Sequence, residues 1–479
     1  MKKLSLFIMA LVCAITSLQA KVELPSIFAD GMVLQQNTDV AFWGKAKPGS
    51  KVKISASWKE KVTTTASDEG KWMVKLSTPA ACAYNAYSVT IDDGDGKVVL
   101  DDVLIGEVWL CSGQSNMEMP MKGFYGQPVV GAMDYIIDAD PLVPIRICNI
   151  AHEAAFEPKD DCKATWYEHT PEGVSESSAV AYFFALRLYK ALGIPVGVIN
   201  TSWESTAIQA WMNRELLDSE FAGEFDMTHF QTRELKGKRY PYNKPGVLYN
   251  AMIHPLAPYT IKGFTWYQGC GNMSKPEQYK RLQPAFVKML RELWGNDELP
   301  FYFTQIAPFH HKDPQGRKAP YMMWAQAQTL EMIPHSGMVS THDIGEYDCI
   351  HPADKKPVGD RLAYHALVND YGFTMVDCNP PVPVEFEFKD GKAIVTFKVG
   401  KWGLSPYNTT IEGFELAGED KVFHPATARI KSDLKRIEVT SPEVSAPVAV
   451  RYGMRNWSVA TLFNCHEIPA SPFRSDDWE

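Results

Sequence analysis

The hydrophobic pattern of this chain changes period twice, and each change limits what the segment can fold into. From Val22 to about Leu100 apolar residues alternate over short runs, as at Trp72, Val74 and Leu76 and at Val89 and Ile91, with Pro48-Gly49 and Asp68-Glu69-Gly70 between runs. Alternation marks strands with one buried face, and closely spaced turn residues keep those strands short. This part therefore predicts a small antiparallel β-sandwich over residues 21–100. From about Asp101 the apolar runs become continuous. Val103-Leu104-Ile105 and Val108-Trp109-Leu110 form a buried strand signal. Ser178–Leu192 reads as a helix broken by Gly193 ahead of a strand at Val196–Ile199. A further helix carries Tyr279, Leu282, Phe286, Met289 and Leu293 at steps of three and four, with a capping box at Ser274 and Glu277, a kink at Pro284 and an end at Gly295. The strand Phe301–Phe303 follows. Strands alternating with helices imply a mostly parallel sheet covered on both faces over residues 101–378. After Cys378 alternation returns at Val384, Phe386 and Phe388, then at Ala393, Val395 and Phe397 across an Asp390-Gly391 turn, which predicts a second β-domain over residues 379–479.

A chain of 479 residues exceeds what one hydrophobic core usually organises, in line with these three parts. Residues 1–20 read as an export signal: Lys2 and Lys3 precede an apolar run, Leu4 to Ile15, that is too short to span a bilayer, and Ala20 suits the cleavage site. Removing them takes the formal charge from −9 to −11. An acidic chain without basic clusters argues against nucleic acid or an anionic membrane surface as a partner. No later segment reads as a membrane span, so a periplasmic or secreted bacterial protein without a membrane anchor is expected. Eight cysteines remain after residue 20; an even number in an exported chain permits disulfides, whose connectivity the sequence leaves open.

Three short segments carry residues suited to catalysis. Gly113-Gln114-Ser115-Asn116-Met117 ends a buried strand. A serine there is positioned to act as a nucleophile if a base takes its proton and N–H donors receive the oxyanion, although serines in such turns also serve as helix caps. Asp348-Cys349-Ile350-His351-Pro352 places an acid three residues before a histidine, a spacing at which Asp348 can orient the imidazole of His351. Such a base would have the ordinary imidazole pKa, on the order of 6 to 7. Trp266-Tyr267-Gln268-Gly269-Cys270-Gly271-Asn272 brings the Asn272 amide to the end of another apolar strand, where it can donate to an oxyanion or simply close a turn.

Taken together, the three segments resemble blocks I, III and V of the SGNH hydrolases, and specifically those of the sialate O-acetylesterase family. The likeness runs through Val108–Met117, Trp266–Gly269, Ile350-His351-Pro352, Gly359 and Arg361-Leu362-Ala363, and extends from Gly31–Gln35 to Ala470–Arg474. The resemblance implies a flavodoxin-like three-layer α/β/α hydrolase domain flanked by β-domains. It implies removal of O-acetyl groups from sialic acids with Ser115 as nucleophile, His351 as base and Asp348 as its orienting acid. It also implies an oxyanion hole made by the Ser115 N–H, Asn272 and a backbone N–H from a segment that usually reads Trp-Gly-Gly-Thr. Here that segment is Trp203-Glu204-Ser205-Thr206, so Ser205 is the candidate donor, and Cys270-Gly271 stand where the family has Glu-Ser. No metal and no organic cofactor are implied.

Other suggestive residues read as structural. Asp343, beside His342, reads as a strand end; His310-His311 lacks a third ligand at metal spacing; His152-Glu153 lacks the second histidine of a zinc-protease helix; Arg451-Tyr452 falls in the C-terminal β-domain. The partner expected is an O-acetylated sugar or glycan. Two alternatives stay open: an acetyl esterase acting on xylan or another plant glycan, and a carbohydrate-binding protein with a degenerate hydrolase domain. The chain's 13 Trp, 20 Tyr and 23 Phe suit sugar stacking as well as β-rich cores.

Overall fold

In the computed structural model, which describes residues 22–235, 240–407 and 409–478, the longest strand, Lys97–Gly113, joins two sheets into one. The leader expected at residues 1–20 lies outside the described residues. The first part of the strand pairs antiparallel with Tyr87–Asp92, and Leu104–Gly106 pair in parallel with Val33–Gln35. Its last part is flanked in parallel by Val196–Ser202 and Gly263–Tyr267. Every residue from Val103 to Gly113 is buried, as an unbroken apolar run requires of a strand covered on both faces. The central order is Ser336–Val339, Phe301–Thr304, Gly263–Tyr267, Lys97–Gly113, Val196–Ser202, Ile145–Ile150 and, antiparallel at the edge, Ala164–Tyr167.

Successive residues of these strands feed two different apolar clusters. Trp109, Val198 and Tyr302 pack with the helices Ala179–Leu192 and Lys356–Asp370. Leu110, Ile199 and Phe303 pack with Pro276–Trp294 and Lys318–Thr329. Helices therefore cover both faces of this mixed α/β unit. The second cluster continues without a break through Val40, Phe42, Ile54, Leu76 and Ile91, so the N-terminal strands share a core with one face of the central sheet. The C-terminal strands form a seven-stranded antiparallel sheet over a core of its own, against which Trp324 packs. Among the described residues no helix is long and apolar enough to cross a membrane, and all eight cysteines are free thiols.

Local sequence signals map onto this frame with two exceptions. Ser178 caps the Ala179–Leu192 helix by accepting from the Ala181 N–H, and Gly193 ends it at a φ of 68°. Asp390 and Gly391 both adopt positive φ, the conformation of a two-residue hairpin turn. The Ser274–Glu277 capping box does not form. Lys275 is the N-cap and Pro276 opens the helix, because a proline with no N–H and a preset φ suits the first helical position better than a residue inside a box. The helix then runs through Pro284 to Trp294. A bulge between Pro383 and Glu385 turns Val384 outward, which breaks the expected alternation at its first residue.

Arg451 is paired inside the C-terminal unit, donating to both carboxylate oxygens of Asp476, with each side chain 1% exposed. Its guanidinium also lies 3.9 Å from the Phe423 ring centroid. Removing the acid would strand a buried cation, a loss of about 3–5 kcal/mol. Asp476→Ala is therefore expected to lower the unfolding midpoint in urea sharply; an unchanged midpoint would show that the pair contributes nothing.

Candidate functional site

The site is built where three parallel strands end side by side. Ser202 and Tyr267 both register with Gly113, so the segments that follow each strand leave the sheet at one level. Gly113 adopts a φ of 150°, and a Cβ there would sit 2.2 Å from the Tyr267 carbonyl oxygen, so only glycine allows this approach. The Gln114 N–H donates to that same carbonyl, and Ser115 opens a single helical turn, Ser115–Glu118. The Ser115 N–H lies in the first turn of this helix, where no carbonyl of the helix itself can accept it.

Ser115 Oγ lies 2.9 Å from His351 Nε2. The other ring nitrogen, Nδ1, lies 2.7 Å from Gln127 Oε1. An amide oxygen can only accept, so Nδ1 carries the proton and Nε2 offers its lone pair to the Ser115 hydroxyl. The Phe124 ring meets the imidazole edge-on at 5.5 Å. Burial, and then the nearby Lys355 cation, push the His351 pKa down to about 4, well below the ordinary imidazole value expected from sequence.

The expected contact between Asp348 and His351 is not formed. The Asp348 side chain is 88% exposed, and its carboxylate lies 3.5 Å from His310 Nε2. Cys349 instead donates its thiol hydrogen to the His351 carbonyl, and the loop presents Asp348 to solvent. Asp343 is committed elsewhere, accepting two hydrogen bonds from Arg361. Gln127 thus occupies the place where a carboxylate was expected. It reaches the site from the Phe124–Gln127 turn, and the neighbouring Val130 N–H donates to the Ala353 carbonyl just beyond His351. No motif or spacing in the sequence points to it.

Buried amides hold the other segments in place. Gln114 Oε1 accepts from the Gly269 and Gly271 N–H groups. Asn272 Oδ1 accepts from the Ile208 N–H and from Gln268 Nε2, and its Nδ2 donates one bond to Gln209 Oε1. Gln268 Nε2 also donates to the Thr206 carbonyl. Gly271 packs so closely that a Cβ would meet the Thr206 carbonyl oxygen at 2.4 Å, which accounts for glycine at this departure from the family pattern. Ser205 has a φ of 57°, the left-handed conformation that glycine would adopt, and Asn243 holds it by donating to its carbonyl while accepting from the Ala207 N–H.

Sequence reasoning set His152 aside for lack of a zinc pattern, yet the fold brings it to this region. Its ring stacks on Trp203 at 4.4 Å, and Trp203 stacks on Tyr242 at 3.9 Å. His152 Nε2 lies 3.2 Å from Glu118, three residues beyond Ser115. Trp203 donates its N–H to the Gly113 carbonyl, and Glu204 is exposed beside it. Two carboxylates and an aromatic stack thus flank the Ser115 turn. A separate groove of about 460 Å³, lined by Trp43, Trp72 and His254 among others, shares no residue with this cluster, and its Lys71 is paired with Asp160. Among the described residues no group of three or more His, Cys, Asp or Glu side chains is placed to hold a metal ion.

Residues 105–367 match the family model described as carbohydrate esterase, sialic acid-specific acetylesterase. The chain is 28% identical over 403 residues to the sialate O-acetylesterase of Homo sapiens, covering 77% of this chain and 75% of that protein. It is 26% identical over 502 residues to that of Mus musculus, covering 92% of each. The crystal structure of a carbohydrate acetylesterase from Xanthomonas citri superposes with a TM-score of 0.85 at 33% identity, over 95% of this chain and 100% of the other.

Labelling of Ser115 by a serine-directed fluorophosphonate tests the orienting contact. Gln127→Ala is expected to slow labelling by on the order of tenfold to a hundredfold, because the imidazole loses the partner that fixes its tautomer. Asp348→Asn is expected to label like the wild type. The reverse order would restore the acid to the site. Labelling should also persist on acidification below the ordinary imidazole range, since a base with its pKa pushed down to about 4 stays unprotonated there.

Proposed function

The chain belongs to the sialic acid-specific acetylesterase family of carbohydrate esterases, and from that premise we propose that it hydrolyses O-acetyl esters of sialic acids through an acetyl-serine intermediate on Ser115. The observation that carries this reading is the 2.9 Å approach of Ser115 Oγ to His351 Nε2 while Nδ1 is held by Gln127. Ser115 Oγ attacks the acetyl carbonyl carbon as His351 Nε2 takes its proton. The tetrahedral oxyanion collapses, the C–O bond to the sugar breaks, and the imidazolium returns the proton to the departing sugar oxygen. A water then attacks the acetyl-serine by the same route, giving acetate and free Ser115. The Ser115 N–H and the second Nδ2 hydrogen of Asn272 are donors available to the oxyanion, with the Ser205 N–H as a third candidate in a loop whose left-handed turn suits the role. Asp348 has no part in this scheme; Gln127 takes its orienting role.

The same reading assigns residues 101–378 to a flavodoxin-like three-layer SGNH hydrolase domain, 21–100 to an N-terminal β-sandwich and 379–479 to a C-terminal β-domain. It places the protein in the periplasm or outside the cell after loss of residues 1–20, with no cofactor. One observation favours a second substrate class. Glu118 and Glu204 lie near the nucleophile turn, and carboxylates there repel an anionic sialate more than a neutral sugar, as suits an acetylated xylan or other plant glycan.

Acetate release from O-acetylated sialic acid and acetylated xylan, measured side by side, decides between them. The sialate is expected to be cleaved at least as well, and a clear preference for xylan would overturn that choice. Ser115→Ala should remain folded and release no acetate from either; retained burst release would remove Ser115 as nucleophile. Asn272→Ala is expected to lower kcat by on the order of 10²–10³ with KM little changed, as loss of one oxyanion donor does. A change confined to KM would make Asn272 a sugar-binding residue instead.

A further inference from the structure

Lys355 is a lysine in a place that opposes its charge. Its side chain is buried, with the residue 1% exposed, and it forms the N-cap of the Lys356–Asp370 helix, whose N-terminal end carries the positive pole of the helix dipole. Both burial and the dipole disfavour an ammonium there, and among the described residues no carboxylate lies within ion-pair distance to offset them. Its ammonium donates to Asn116 Oδ1, and Asn116, itself buried beside Ser115, donates through Nδ2 to the Ile350 carbonyl at 3.0 Å. One side chain thus ties the turn that carries the nucleophile to the loop that carries the base.

We propose that Lys355 is a positioning residue for the esterase reaction: through Asn116 it holds Ser115 in register with His351. The proposal rests on the assignment of Ser115 and His351 as nucleophile and base. The titratable groups facing Lys355 are Glu346 and Cys349 from the His351 loop and Cys270 from the turn after Gly269. Those around His351 are Lys355 and the Cys349 thiol that donates to its carbonyl, beside the neutral Ser115, Gln127 and Phe124. Burial lowers the Lys355 pKa to about 7, so the amine is fully charged in the acidic range where His351 titrates. A cation near an imidazole disfavours the imidazolium, so removing it must raise the His351 pKa and move the acidic limb of activity to higher pH.

The test compares Lys355→Met, which removes both donor and charge, with Lys355→Gln, which keeps a donor for Asn116. For Lys355→Met, kcat should fall about tenfold with KM within about twofold, and the acidic limb of kcat/KM should move to higher pH. Lys355→Gln should recover most of kcat while the limb stays displaced. A folded Lys355→Met with wild-type kcat and an unmoved limb overturns the proposal. Should that variant not fold, Asn116→Ala breaks the same bridge and should lower kcat without displacing the limb, and intact kcat there overturns the positioning role. Fluorophosphonate labelling of the wild type separates the two levels. If Ser115 is not labelled, the assignment of the nucleophile has failed; if it is labelled and the Lys355 variants label with the wild-type rate and pH dependence, only the Lys355 role has failed.

Discussion

Parallel pairing at Gly113 is the constraint from which the site follows. Ser202 and Tyr267 lie across from the same residue on opposite sides of the central strand, so residues 115, 203 and 268–272, far apart in the chain, emerge together at the carboxyl ends of three strands. A slip of one residue in either pairing would turn alternate side chains to the wrong face and separate the segments. The strand is held against such a slip by two buried clusters that take up its successive side chains, Trp109 on one face and Leu110 on the other.

Above that level the site is organised by neutral amides more than by charges. Gln114, Gln268, Asn272 and Gln209 exchange hydrogen bonds with one another and with the backbone of the Trp203–Ile208 and Gly269–Asn272 segments. Such a network avoids the desolvation cost of buried ions, and it leaves Gln268 Oε1 without a partner among the described residues. The partner of His351 follows the same pattern. The Gln127 oxygen accepts from Nδ1 without bringing an acid's charge, and burial and then the Lys355 cation push the His351 pKa down to about 4.

The departures from the family pattern are explained by backbone geometry. Ser205 keeps the left-handed turn that glycine usually supplies, held by Asn243 and by the Tyr242 hydroxyl on the Glu204 carbonyl. Gly271 permits the close approach of the Thr206 carbonyl. At Ser205 the backbone conformation, and at Gly271 the close approach of another segment, thus limit which residue the position accepts.

Sequence alone determined the periodic and local features: the shift from alternating to continuous apolar runs, the Ser178 and Gly193 helix ends, the Asp390-Gly391 turn, and the position of Ser115 just past the end of a buried strand. These are properties of neighbouring residues, set by side-chain period, capping and backbone φ. Its resemblance to a known family also singled out the segments of Ser115, His351 and Asn272, which the fold brings into one region. Local spacing then misled at Asp348, where an acid three residues from a histidine lies on a loop that turns it to solvent. Only the tertiary structure decided that Gln127, 224 residues from His351 in sequence, meets its imidazole, that Lys355 reaches Asn116, and that His152, Trp203 and Tyr242 stack beside the Ser115 turn. Each of these contacts joins segments that no periodicity relates, and their distances depend on how strands and loops pack, which is settled by burial and hydrogen-bond satisfaction across the whole fold.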